Sequence, residues 1–127
     1  MKLLILMAVI SMFNSNMLIT KNFSSEKELL VIEAQGEVIT KSCKGSRVIV
    51  ETKISTNFPK HIANVIKSRW TFKVHSDFAM GITRVKLLVD GKEVKYKNSS
   101  LEEHFVTTVY VPEDIQRVKI LNRWQKE

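Results

Sequence analysis

The residues with chemistry to offer are few: one cysteine, three histidines, two adjacent carboxylate pairs and a set of lysines and arginines at alternating positions. Cys43 lies between Lys41 and Lys44, cations that favour a thiolate. As the sole cysteine it closes no intramolecular disulfide, and at a strand end or loop such a residue is ordinarily incidental. His61, His75 and His104 are not spaced to ligate a metal with one another or with Cys43. His104 follows Glu102 and Glu103, a neighbourhood that could support general-base chemistry, although charged residues at a turn are the ordinary explanation. Glu102-Glu103 and Glu113-Asp114 are each contiguous, and neighbours in a strand point to opposite faces, so neither pair can flank one substrate. The four glycines build no phosphate-cradling loop, and no nucleophile elbow occurs. The expectation is a non-enzymatic protein with no catalytic, metal-binding or cofactor-binding residues.

What remains is positive charge. Lys73 and His75, Arg84 and Lys86, and Arg117 and Lys119 each stand two apart on the polar phase of alternating runs, with Arg123 beyond. If those runs are strands of one sheet, the side chains form a basic stripe across its solvent face. Lys73, Arg84, Lys86, Arg117 and Lys119 are therefore the candidate binding residues. Like charges directly opposite in a sheet are destabilising, so a bound anion or interspersed acids are expected there. The competing reading is a set of solvated charges that resist aggregation between sheet edges. Over 127 residues, 20 Lys+Arg against 13 Asp+Glu give +7 and a pI near 9.6. That balance steers the chain toward a protein, an anionic polysaccharide or an acidic lipid surface. Most of the aromatic residues fall on core phases, which leaves no stacking platform for single-stranded nucleic acid. No small-molecule substrate is indicated, and the oligomeric state is open.

The elements that must position these residues read as follows. A chain of this length is one domain with an ordinary core, and 44% hydrophobic with 26% charged residues excludes wholesale disorder. Lys2 followed by the apolar run Leu3 to Ile10 predicts an export signal. Ser11, Asn14, Ser15 and Asn16 interrupt that run well short of the roughly 20 apolar residues of a membrane span. No Ala-x-Ala cleavage site is present, which leaves an uncleaved N-terminal anchor as the alternative. The expected organisation is a signal helix or anchor over 1–20, a linker over 21–26 and a single β-domain over 27–127, placed in the periplasm or outside the cell. Asn22-Phe23-Ser24 and Asn98-Ser99-Ser100 match the glycosylation acceptor pattern, which would matter only in a eukaryotic secretory pathway.

Period-two alternation governs the rest. Val48, Val50, Thr52 and Ile54 share one face, as do Trp70, Phe72 and Val74, and again Phe105, Thr107, Val109 and Val111. Gly36 interrupts an apolar run from Leu29 to Ile39, predicting a strand with a bulge or bend. Pro59, followed by Ile62, Val65 and Ile66, predicts one short helix near 59–67. Asp90-Gly91 between two alternating runs predicts a hairpin over 81–96 with a type I′ turn. About seven short strands with regular turns predict an all-β sandwich.

The stretch Gly81-Ile82-Thr83-Arg84-Val85-Lys86-Leu87-Leu88-Val89-Asp90-Gly91-Lys92-Glu93-Val94 resembles the hairpin of bacterial immunoglobulin-like and fibronectin type III-like domains. The Phe105 strand, then Val111-Pro112-Glu113-Asp114 leading into Val118-Lys119-Ile120, is similar to their closing strands, and Trp70 fits their buried tryptophan. The likeness covers residues 66–122. It implies an immunoglobulin-like antiparallel sandwich that works by adhesion, binding or spacing, without catalysis. A single cysteine departs from the inter-sheet disulfide of antibody domains. A structural subunit of an envelope complex, recognised by strand addition, is the alternative.

Overall fold

The computed structural model describes residues 15–122. The expected signal over residues 1–14, and Arg123 at the end of the basic stripe, lie outside the described residues. The strands are β1 (Ser15–Phe23), β2 (Leu29–Ala34), β3 (Glu37–Cys43), β4 (Val48–Thr56), β5 (Trp70–Asp77), β6 (Ile82–Val89), β7 (Lys95–Tyr96), β8 (Ser99–Ser100), β9 (Glu103–Pro112) and β10 (Val118–Asn122). One short helix, α1 (Lys60–Val65), follows Pro59, and a 3₁₀ turn (Lys67–Arg69) leads into β5. No helix among the described residues is long and apolar enough to cross a membrane.

The strands form a first sheet of order β1-β4-β9-β3, a second of order β10-β2-β6-β5, and a small β7-β8 ribbon. The two large sheets pack face to face because each strand turns every second, apolar residue inward. Phe23, Val48, Val50 and Val109 of the first sheet share one buried cluster with Leu30, Ile32 and Val85 of the second. Ile54 and Phe105 join Ala34, Trp70 and Leu87 in another. Two polar devices sit inside. Thr52 and Thr107, both fully buried and directly opposite across β4 and β9, share a hydroxyl hydrogen bond of 2.8 Å. Near the β5 start of the second sheet, Arg69 donates twice to the Glu103 carboxylate, at 2.8 and 3.2 Å, and the Trp70 indole N–H donates to the same carboxylate. This ties the start of β5 to the start of β9, across the two layers.

Four expectations are corrected. Ser15 to Thr20, expected as the tail of the export segment, and Lys21 to Phe23, expected in the linker, form β1 and pair along their whole length with β4. Met17 and Ile19 pack on the core and Phe23 is buried, an inward phase that the apolar run before it obscures. The sheets are not wholly antiparallel: β10 with β2, β2 with β6, and β3 with β9 run parallel, half of the six ladders. The cause is local. At Gln35-Gly36 the chain crosses from one layer to the other, so β2 and β3 are sequence neighbours in different sheets. The hairpin across Asp90-Gly91 does not form, because both edges of β6 are already taken by β5 and β2. Neither Asp90 nor Gly91 has the positive φ a type I′ turn requires. Asp90 instead donates its N–H to Arg69 O and accepts the Lys92 N–H on its side chain. The paired positive φ values occur one hairpin later, at Lys97 (51°) and Asn98 (66°), between β7 and β8.

Candidate cationic face and hairpin tip

The second sheet brings the predicted basic residues onto one outward face, and its register fixes their order. Lys119 pairs with Val31, Val31 with Arg84, and Arg84 with His75, one row across all four strands. With strands about 4.8 Å apart the row spans roughly 14 Å. The next row holds Leu121, Glu33, Lys86 and Lys73. Arg117 precedes β10 on the same phase, level with Leu29, Ile82 and Asp77. Lys73, Arg84, Lys86, Arg117 and Lys119 are all exposed.

Lys73 thus stands directly opposite Lys86, and His75 opposite Arg84. Such pairs raise the energy of the sheet in the absence of a counter-charge, since facing side chains start only about 5 Å apart. Glu33, beside Lys86, supplies one acid within the face, and Asp77 another at its end. The ion pairs Lys27–Asp114 and Arg69–Glu103 lie elsewhere. Val31 completes its row at 2% exposure although its side chain is on the outer phase. The long stems of Arg84 and Lys119 flank it and are placed to shield it while their charged heads reach water.

One feature of this sheet went unread in the sequence. The β5–β6 connection, Phe78-Ala79-Met80-Gly81, is an apolar tip: Phe78 is 80% exposed and Met80 62%. Its shape is held from within. Met80 N–H donates to the Asp77 carboxylate (3.2 Å) and Gly81 N–H to Phe78 O (3.3 Å). Gly81 sits at φ +70°, where a side chain would be strained and its Cβ would meet Glu28 at 2.8 Å. Its carbonyl accepts the N–H groups of both Glu28 and Leu29. The available signal was an aromatic and a methionine inside a loop bounded by Asp and Gly, where polar residues are the norm.

The other chemical candidates are not brought together. Cys43 ends β3, half-buried, and His61 is exposed on α1. Glu103 is engaged by Arg69 and Trp70 rather than by catalysis-like geometry at His104. No cluster of three His, Cys, Asp or Glu residues suited to a metal occurs among the described residues.

No protein-family model matches the chain, and no curated protein matches it. Among solved structures, a proposed cell adhesion protein from Clostridium sporogenes aligns with it at 12% identity and a TM-score of 0.46, over 84% of this chain and 47% of that one. The chain spans about half the length of that neighbour.

Proposed function

We propose that this chain is an exported, non-enzymatic binding module of immunoglobulin-like type, and that it engages multivalent anions through the outer face of the second sheet. Two packed four-stranded layers with Trp70 buried between them support the immunoglobulin-like reading; the three parallel ladders are a departure from it. A single observation carries the binding reading. The register sets Lys73 against Lys86 and Arg84 in line with His75 and Lys119. A multivalent anion lying across the strands would meet several of them at once and would remove their mutual repulsion. Exchange of small counterions on binding makes such an interaction salt-dependent.

The test is chromatography on a sulfated polyanion resin. The wild-type chain should be retained and elute with salt. Lys73→Glu/Arg84→Glu/Lys86→Glu, all at exposed positions, should flow through while keeping the wild-type unfolding temperature. Unchanged retention of that variant removes the proposal.

A second reading, strand addition at a sheet edge, is favoured by β1. It closes the first sheet with nine residues and only one charged side chain, Lys21, the kind of long edge that other strands can join. Recovery of one stoichiometric protein partner, insensitive to salt, would support this reading over the first.

A further inference from the structure

We propose that the β5–β6 hairpin docks this protein on an anionic lipid surface, with Phe78 and Met80 entering the interface and the adjacent cations meeting the headgroups. The inference rests on the anion-binding reading of the same sheet and names its partner. The two halves of the site are observed independently, the tip from exposure and the cations from register.

The arrangement along the hairpin suits this task. Beyond the tip, the first outward row holds Asp77, Ile82 and Leu29 with Arg117 level to them. The second holds His75, Arg84, Val31 and Lys119, and the third Lys73, Lys86 and Glu33. Successive rows lie about 7 Å apart, so the cations begin within the depth of a headgroup layer from an inserted tip. Five cations against Asp77 and Glu33 leave this face at +3 with His75 neutral. Glu28, at the foot of the tip, stands on the phase of the buried Leu30 and Ile32, opposite to that of the cations, and Lys27 is paired with Asp114. Electrostatics therefore selects one approach, with the outer face of the second sheet tilted toward the lipid. The hydrogen bonds that close the loop let Phe78 and Met80 be presented without an ordering step, and an exposed aromatic beside basic residues is the composition of interfacial anchors. A protein groove lined by apolar residues could accept the tip, but it would not need five cations beside it.

The full-length chain is sedimented with vesicles of phosphatidylcholine alone or with about a quarter phosphatidylglycerol, where each basic residue near the surface contributes on the order of a fivefold gain. Wild type should bind the mixed vesicles and leave the neutral ones. Phe78→Ser/Met80→Ser should lose about tenfold or more in vesicle affinity yet keep its retention on the polyanion resin, and Phe78→Leu should bind as wild type. The triple Glu variant described above should lose both. Equal vesicle binding by Phe78→Ser/Met80→Ser, or equal binding of wild type to both vesicles, overturns the proposal. Polyanion retention without vesicle binding defeats the lipid assignment alone; absence of both defeats the anion-binding reading as well. A dimer in solution that Phe78→Ser/Met80→Ser dissociates, with vesicle binding intact, would make the tip a self-interface and also overturn it.

Discussion

Thr52 and Thr107 show how a polar pair is accommodated in an apolar core. Each hydroxyl is fully buried, and each has the other as its partner at 2.8 Å. Removing one leaves the other without that bond, a state that costs about 1–3 kcal/mol, whereas removing both takes away the need together with the bond. Thr107→Val should therefore destabilise the protein by about 2 kcal/mol in urea unfolding, and Thr52→Val/Thr107→Val should recover most of that loss. Additive single effects would show that the hydroxyls do not depend on each other. Glu103 teaches the complementary lesson. Beside His104 in the sequence it suggested base chemistry, but its carboxylate is occupied by Arg69 and the Trp70 indole in a site where the paired side chains are 12% and 13% exposed. Its partners lie more than thirty residues upstream, so no local pattern could have disclosed them.

At the scale of elements, glycine position separates turns that look alike in sequence. Gly36 has φ +79°, and a Cβ there would come within 2.3 Å of Phe105 O. Gly91 has open space around it and no positive φ. Gly36→Ala should cost about 3 kcal/mol or more, from backbone strain and a clash with main chain that cannot move aside. Gly91→Ala should be near neutral, which thermal unfolding of the two variants would reveal side by side. Inward faces were legible: Val48 to Ile54, Trp70 to Val74 and Phe105 to Val111 alternate as their spacing requires. Pairing was not. The alternation along β6 is the same whether its neighbour is a hairpin partner or a parallel strand from another part of the chain, and Asp90-Gly91 offered the nearest turn chemistry. The competition for edges decided otherwise, and that competition is a property of the whole sheet.

For the whole molecule, β1 is the element that matters most to the reading of the N-terminus. Ser15 donates to Phe58 O at 2.8 Å and shares a hydrogen bond with Thr56 at 3.0 Å, and Met17 and Ile19 pack on the core. A chain beginning at Lys21 would expose the edge of β4 and should lose about 4 kcal/mol or more, read as a collapse of the cooperative unfolding transition by circular dichroism. The cationic face is also a whole-molecule property. Its residues and their outward phase could be read from the sequence, because two-residue spacing survives in any sheet. Their order across four strands, with Lys73 against Lys86 and Lys119 in line with Arg84, follows only from the register. The parallel ladders carry a consequence for folding. β2 has as its two neighbours β6 and β10, strands that lie roughly fifty and ninety residues further along the chain. With these central pairings joining distant segments, strands adjacent in sequence cannot complete the second sheet by themselves. Folding should therefore be slow, as in architectures dominated by distant pairings.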